Sequence, residues 1–321
     1  GVIAIADDAQ RVAEIVGAQA GAAPRQPSPR VQAQFTVEAA VPLRRMLICG
    51  FRGATVQLLE SLLLHAPADA AVSVLLADDE HREQALELFA VQGALVRQGL
   101  SSPKFGAFEV DEDEGVTWTA PAGDDRRLSV ALHVADWASP RVLGELPGAG
   151  ESILDHDLVL FSADGSGESD ARNTTGLMTY EALAAAAADA GQGERRPRVV
   201  AEVDDVELAA RLNDRFHSMD RPEIHVFSID ELRALVVFQS VVVPHFNSIY
   251  EELLTGSRGL VPLRASEFGA ARVPHAALGE TLRASGHVLV AVDQGEGPEF
   301  GAGSSDAAVD LERARLWVLR R

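Results

Sequence analysis

Two residue types are nearly missing from this sequence of 321 residues, which has one lysine, Lys104, and one cysteine, Cys49. A phosphate loop of the GK[ST] type needs a lysine beside the phosphates, and Lys104 sits in SSPKFG, which is not that motif. A Schiff-base lysine or a Ser-x-x-Lys catalyst would have to use the same residue. One cysteine permits neither an intrachain disulfide nor a thiolate zinc cage. The nine histidines form no HExxH or HxH pair. Long apolar runs are missing too: the longest, around Leu235 to Val243, is too short and too interrupted to cross a bilayer. The opening GVIAIADDAQ has no basic stretch ahead of its short apolar run, so no targeting signal is visible. Positive charge is scarce: 28 Lys plus Arg stand against 48 Asp plus Glu, a formal net charge of −20. Nucleic acid is disfavoured as a main partner, because binding phosphate backbones rests on clustered positive charge.

What remains is ample core material, 47% hydrophobic residues, and length for one large or two ordinary domains. Val2-Ile3-Ala4-Ile5-Ala6 reads as a strand without an adjacent partner, and GAAPRQPSPR at 21–30 reads as a linker that ends near Pro42. From Arg45 the pattern changes. Arg45 to Gly50 (RMLICG) is a short apolar run stopped by glycine, the form of a buried parallel strand. Ala54 to His65 has helical spacing, with Val56, Leu59, Leu62 and Leu63 on one face. Strands at 72–77, 128–134, 157–162, 199–203 and 224–227 alternate with helices starting near His81, Pro140, Asp170 and Asp204. Such alternation implies right-handed βαβ units and a doubly wound parallel sheet. The expected frame is a Rossmann-like domain over 43–229, with an acidic surface insertion at 101–125 carrying Asp111-Glu112-Asp113-Glu114. Two helical segments meeting at Pro244 form a helix-turn-helix crossover at 230–254, and 255–321 is a small α+β C-terminal lobe with short strands at 260–263, 287–292 and 316–319.

Gly50-Phe51-Arg52-Gly53 occupies the first strand-to-helix turn, where a dinucleotide site carries its glycine loop. The loop is degenerate, because Phe51 and Arg52 would crowd a pyrophosphate on the helix N-terminus, so the glycines read first as serving the turn alone. Asp78 and Asp79 end the second strand, where an acid would hold a ribose hydroxyl; His133 and Asp136 close the third, and Asp164 and Asp170 flank the fourth. All lie at the carboxyl edge of the sheet, where doubly wound folds bind ligands and where carboxylates can coordinate a cation. The plainer reading of each is solvation or helix capping. Ser166 and Ser169 lack the spacing of a nucleophile elbow, and Cys49, within a strand, reads as a small buried hydrophobe.

Four segments carry a resemblance: LRRMLICGFRGATVQLLESLL, VLFSAD with SDARNTTGLMTYEAL, RVVAEVDDVELAARL, and IDELRALVVFQSVVVPHFNSIYEELL. Together they resemble the cytosolic region of CASTOR/POLLUX-type ion channels, built from RCK (regulator of potassium conductance) domains. Ser169, Asp170, Arg172 and Asn173 match the acidic loop before the long helix, and Asn247, Glu251, Glu252 and Leu253 match the helix near the crossover. The likeness covers roughly 43–321; the acidic insertion and the Ala/Arg-rich composition depart from it and suggest a bacterial relative. It implies that residues 1–20 are the closing segment of a preceding RCK domain. It further implies a non-enzymatic, ligand-sensing gating-ring module at the cytoplasmic face of a membrane. The pore domain would lie upstream or in a separate chain. The ligand, calcium or a nucleotide such as NAD or an adenine nucleotide, is expected near Gly50, Arg52, Gly53, Asp78, Asp79, Asp136, Asp164, Asp170 and Arg172. Leu235, Val236, Val243 and Ile249 are expected to pair subunits into a dimer or tetrameric ring. The alternatives are a separate soluble RCK-type subunit of an ion transporter and an NAD-dependent oxidoreductase.

Overall fold

A computed structural model describes residues 31–38, 42–100, 106–111, 115–121, 123–148, 150–163, 167–191, 196–219, 221, 223–242, 260–295, 298–300 and 308–320. They fall into two compact units, one between Val41 and Gln239, the other formed by the stretches before and after it. The expected strand at Val2 to Ala6, the acidic run from Glu112 to Glu114, and the crossover beyond Val242 lie outside the described residues.

The smaller unit begins at β1 (Ala33–Val37). This strand falls inside the stretch expected to be linker, and the linker reading is corrected there. The prolines at 24, 27 and 29 precede it, and AQFTV pairs antiparallel with a strand more than two hundred residues later. The larger unit runs β2 (Arg45–Cys49), α1 (Gly53–His65), β3 (Ala71–Leu76), α2 (Asp79–Arg97), β4 (Ala107–Asp111), β5 (Gly115–Thr119), β6 (Arg127–Val134) and α3 (Pro140–Gly144). It continues through β7 (Leu158–Phe161), α4 (Ser169–Asp189), β8 (Arg198–Val203), α5 (Val206–Ser218), β9 (Ile224–Ser228) and α6 (Ile229–Val242), whose residues from Ser240 on are counted with the smaller unit.

Its eight strands are ordered β4-β5-β6-β3-β2-β7-β8-β9. The six from β6 to β9 are parallel, and the order reverses between β2 and β7: this is a doubly wound Rossmann-like sheet. Alternate side chains of β2 serve opposite layers. Met46 and Ile48 pack with Leu59 and Leu63 of α1 and Phe89 of α2, whereas Leu47 and Cys49 pack with Leu143, Leu177, Tyr180 and Leu212 from α3 to α5. A strand buried on both faces is why RMLIC reads as a continuous apolar run.

The insertion is not a surface excursion. β4 and β5 form a hairpin that adds antiparallel to β6 and extends the sheet. Phe108 and Trp118 are fully buried in it, and Phe51, Phe89 and Phe108 form a row with ring centroids 5.1 and 4.7 Å apart. Gly93 permits this approach: a Cβ there would stand 2.0 Å from the Phe108 carbonyl oxygen.

The smaller unit is completed by β10 (Leu260–Phe268), β11 (Arg272–Pro274), α7 (His275–Ala284), β12 (His287–Asp293), β13 (Pro298–Phe300), β14 (Ala308–Asp310) and β15 (Arg315–Arg320). Its main sheet is antiparallel, in the order β1-β10-β15-β12-β13. Leu263, Leu316 and Val318 pack with Leu278 and Leu282 of α7. The strands expected at 260–263, 287–292 and 316–319 fall within β10, β12 and β15, whereas β1, donated from the other end of the chain, is not anticipated.

Candidate functional site

The carboxyl edge of the larger sheet is built around the reversal between β2 and β7. Gly50 follows β2 with φ +89°, a conformation that suits glycine, and its N–H donates to the Leu75 carbonyl at 2.9 Å. A Cβ at Gly50 would lie 2.4 Å from the Ser162 carbonyl oxygen, so the turn closes directly against the end of β7. Gly53 differs: nothing lies within 4 Å of the place its Cβ would take. Phe51 turns inward onto Phe89 and does not face the crevice.

Arg52 occupies the N-cap position of α1, and its backbone N–H donates to Thr55 Oγ1 at 3.1 Å. Its guanidinium crosses the crevice and donates from Nη2 to Glu202 Oε2, near the end of β8, at 2.9 Å. Ser162 Oγ and the Ala163 backbone N–H donate to that same oxygen, each at 2.9 Å. The Glu202 side chain is only 11% exposed, and burying a carboxylate is costly unless it is paired and hydrogen-bonded. Beneath it, Asn173 Nδ2 donates to the Glu202 carbonyl at 3.0 Å, and its Oδ1 accepts from Trp137 Nε1 at 3.1 Å. The Arg172 guanidinium lies over the Trp137 ring, 5.0 Å from its centroid.

Three of the acids expected to bind a ligand, Asp78, Asp136 and Asp170, accept local hydrogen bonds. Asp78 caps α2, accepting from the His81 backbone N–H at 2.9 Å and pairing with its ring Nδ1 at 2.7 Å; these hydrogen bonds hold its carboxyl below the usual range. Asp79 is exposed in the first turn of α2, and Asp136 accepts from the Ala138 N–H at 3.0 Å. Asp170 joins α4 to the β8–α5 turn, accepting from the Asp204 and Asp205 N–H groups at 2.8 and 3.2 Å. Asp164 lies outside the described residues. Of the expected set, the structure brings Arg52, Asp170 and Arg172 to the region around Glu202. Asp78 and Asp79 stand together at the start of α2, and Asp136 lies in the turn after β6. Among the described residues, no three of His, Cys, Asp and Glu gather so as to hold a metal ion.

Glu202, Ser162 and Trp137 are not among the residues the sequence singled out. A signal existed for the first: a carboxylate inside the apolar strand RVVAEV must find a partner. Of the other polar groups considered, the Cys49 thiol is buried, and burial pushes its pKa up, away from reactivity. His133 is half-buried, and burial lowers its imidazole pKa.

A second candidate surface is α6. Leu232, Leu235, Val237, Phe238, Val241 and Val242 are all exposed, with Leu235 at 51% and Phe238 at 59%, and Val236 is half-buried. Val243 and Ile249 lie outside the described residues. Among the described residues, no helix is long and apolar enough to cross a membrane.

No protein-family model matches the chain, and no curated protein matches it either. Among solved structures, a GsuK channel matches at 13% identity with a TM-score of 0.33, over 96% of this chain and 41% of that one. The chain thus spans about two fifths of the length of that neighbour. The Rossmann-like assignment rests on the strand order.

Proposed function

We propose that the chain is a non-catalytic regulatory module of a cation channel. In this reading it senses a small ligand at the carboxyl edge of its Rossmann-like sheet and self-associates through α6 and the segment that follows. It is an RCK-type module of the CASTOR/POLLUX kind, working at the cytoplasmic face of a membrane beneath a pore. The observation that carries the proposal is the apolar surface of α6. A buried Leu, Val or Phe stabilises by about 1.5–3 kcal/mol, so six such residues left roughly half exposed represent on the order of 5–9 kcal/mol available to a partner. Exposed patches of this kind mark association surfaces, and a second copy of the chain meets the patch with the same apolar chemistry. Ligand sensing then requires a ligand that prefers one arrangement of the assembly, since equal affinity for both shifts nothing.

The test is light scattering on the chain and on Phe238→Asp. The chain is expected to run as a dimer or tetramer and the variant as a monomer with an unchanged circular-dichroism spectrum. A wild-type monomer at high concentration refutes the proposal. Calorimetry with calcium, NAD and AMP tests the sensing half.

A further inference from the structure

We infer that β1 is a latched strap: it opens and closes on the smaller sheet while the rest of that sheet stays folded, and the Glu38 carboxylate sets how often it opens. This device goes beyond the proposed regulatory role and does not rest on it. β1 stands at the edge of its sheet, so it pairs on one side only, with β10, and the register shifts between Gln34 and Phe35. Its side chains are half-buried or exposed, and the buried core of the smaller unit, from Leu263 to Val318, contains none of them. Ala33 and Phe35 only pack against that core as half-buried neighbours. β10 keeps a second partner in β15, which pairs in turn with β12. The sheet therefore retains its core and its remaining ladders when β1 leaves.

The strap is fastened by polar contacts at its two ends. Before it, the Val31 N–H donates to Thr281 Oγ1 at 2.8 Å, and the Gly269 N–H donates to the Gln32 carbonyl at 2.9 Å. After it, the Glu38 N–H donates to the Pro262 carbonyl at 2.9 Å. The Glu38 carboxylate accepts from Arg315 Nε and Nη2 at 2.7 and 2.9 Å, with Arg264 Nε 3.4 Å away. The two-bond grip of an arginine on a carboxylate is the strongest of these fastenings. It is also half open to water, with the Glu38 side chain 28% exposed, so releasing it strands no buried charge. That distinguishes a latch from a core ion pair. The chain passes between the two units twice, at Ala40–Val41 and at Gln239–Ser240, and β1 anchors the first passage in a sheet. Opening β1 releases that passage alone.

The experiment is amide hydrogen exchange, read residue by residue at neutral pH in the full chain. It compares the wild type, Glu38→Gln, and a disulfide staple made by Gln34→Cys/Glu267→Cys. Those two positions are partners across β1 and β10, and Gln34 Nε2 donates to Glu267 Oε2 at 2.8 Å, so their side chains share a face. Cys49 is buried and stays out of the pairing. In the wild type the amides joining β1 to β10 are expected to be protected roughly tenfold less, or weaker still, than those joining β12 to β15. Glu38→Gln is expected to speed exchange at β1 about tenfold more and to leave the β12–β15 amides within about twofold. The oxidised staple is expected to slow exchange at β1 about tenfold relative to the same protein reduced. Wild-type protection of β1 equal to that of β12 and β15 overturns the inference. So does a Glu38→Gln chain that exchanges faster in β1, β12 and β15 alike, or fails to fold, because β1 is then part of one cooperative unit. An unchanged β1 in Glu38→Gln removes the carboxylate as latch, and an oxidised staple without effect on β1 removes the strap.

Discussion

The two glycines of the turn after β2 are one letter pattern in the sequence and opposite cases in the structure, which makes them a sharp test. At Gly50 the φ of +89° penalises any L side chain, at about 1–2 kcal/mol. Its Cβ would also stand 2.4 Å from the Ser162 carbonyl oxygen, a backbone atom that cannot rotate away. The end of β7 must therefore retreat, straining the Ser162-to-Cys49 hydrogen bond and the Ser162 and Ala163 bonds to Glu202, each worth about 1 kcal/mol. Gly50→Ala is expected to destabilise the larger unit by about 3–5 kcal/mol. Gly53 is the first helical residue of α1, with open space around it, so Gly53→Ala removes unfolded-chain freedom without a clash and is expected to stabilise by about 0.5–1 kcal/mol. Urea unfolding followed by circular dichroism on both variants gives the two signs directly. A Gly50→Ala cost below about 1 kcal/mol, or a Gly53→Ala cost as large as that of Gly50→Ala, refutes the argument. The second outcome would mean that both glycines serve a close backbone approach.

Two further outcomes follow from the same kind of geometry. Gly93→Ala is expected to lose about 3 kcal/mol or more and to expose the hairpin, because its Cβ meets the Phe108 carbonyl oxygen at 2.0 Å; faster amide exchange confined to β4 and β5 checks it. In the smaller unit, Arg315 grips both oxygens of Glu38 at 2.7 and 2.9 Å, and this hydrogen-bonded pairing, assisted by Arg264, holds the Glu38 carboxyl below its ordinary value. A depressed carboxyl stabilises fully above its unfolded pKa of ~4.3 and loses that stabilisation as pH falls through the folded value. Melting of the wild type below pH ~4 is therefore expected to fall more steeply than melting of Glu38→Gln. Parallel curves refute the assignment.

The parallel core was legible because its strands are buried on both faces and its helices are punctuated by recognisable caps. Pro140 begins α3 as its position indicates, and Asp205 caps α5 by accepting from the Glu207 and Leu208 N–H groups at 2.8 and 3.0 Å. The β4–β5 hairpin was missed because its acidic turn dominates the composition. Yet Phe108 and Val110 before that turn, and Val116 and Trp118 after it, alternate with period two, which is the signal of a strand with one buried face. β1 was missed for a different reason. Its partner lies in β10, and a pairing across that separation leaves no trace in local composition.

The site was half legible, and the division has one physical cause. Helix N-termini at the carboxyl edge present unpaired N–H groups, and in a chain with 48 acids most of the carboxylates placed there are captured locally, as Asp78, Asp136, Asp170 and Asp205 are. A row of acids at strand ends therefore looks like a cation site in the sequence and resolves into caps and turn ties in the fold. Glu202 escapes local capture because it lies within β8, between the buried Ala201 and Val203, and must reach across the sheet reversal to be satisfied. The group it meets is an arginine 150 residues earlier, and no spacing rule connects the two. The chain's near-total reliance on arginine for positive charge matters at this point. A guanidinium on a long side chain donates along fixed directions, which suits Arg52 to reach Glu202 from the N-cap of α1.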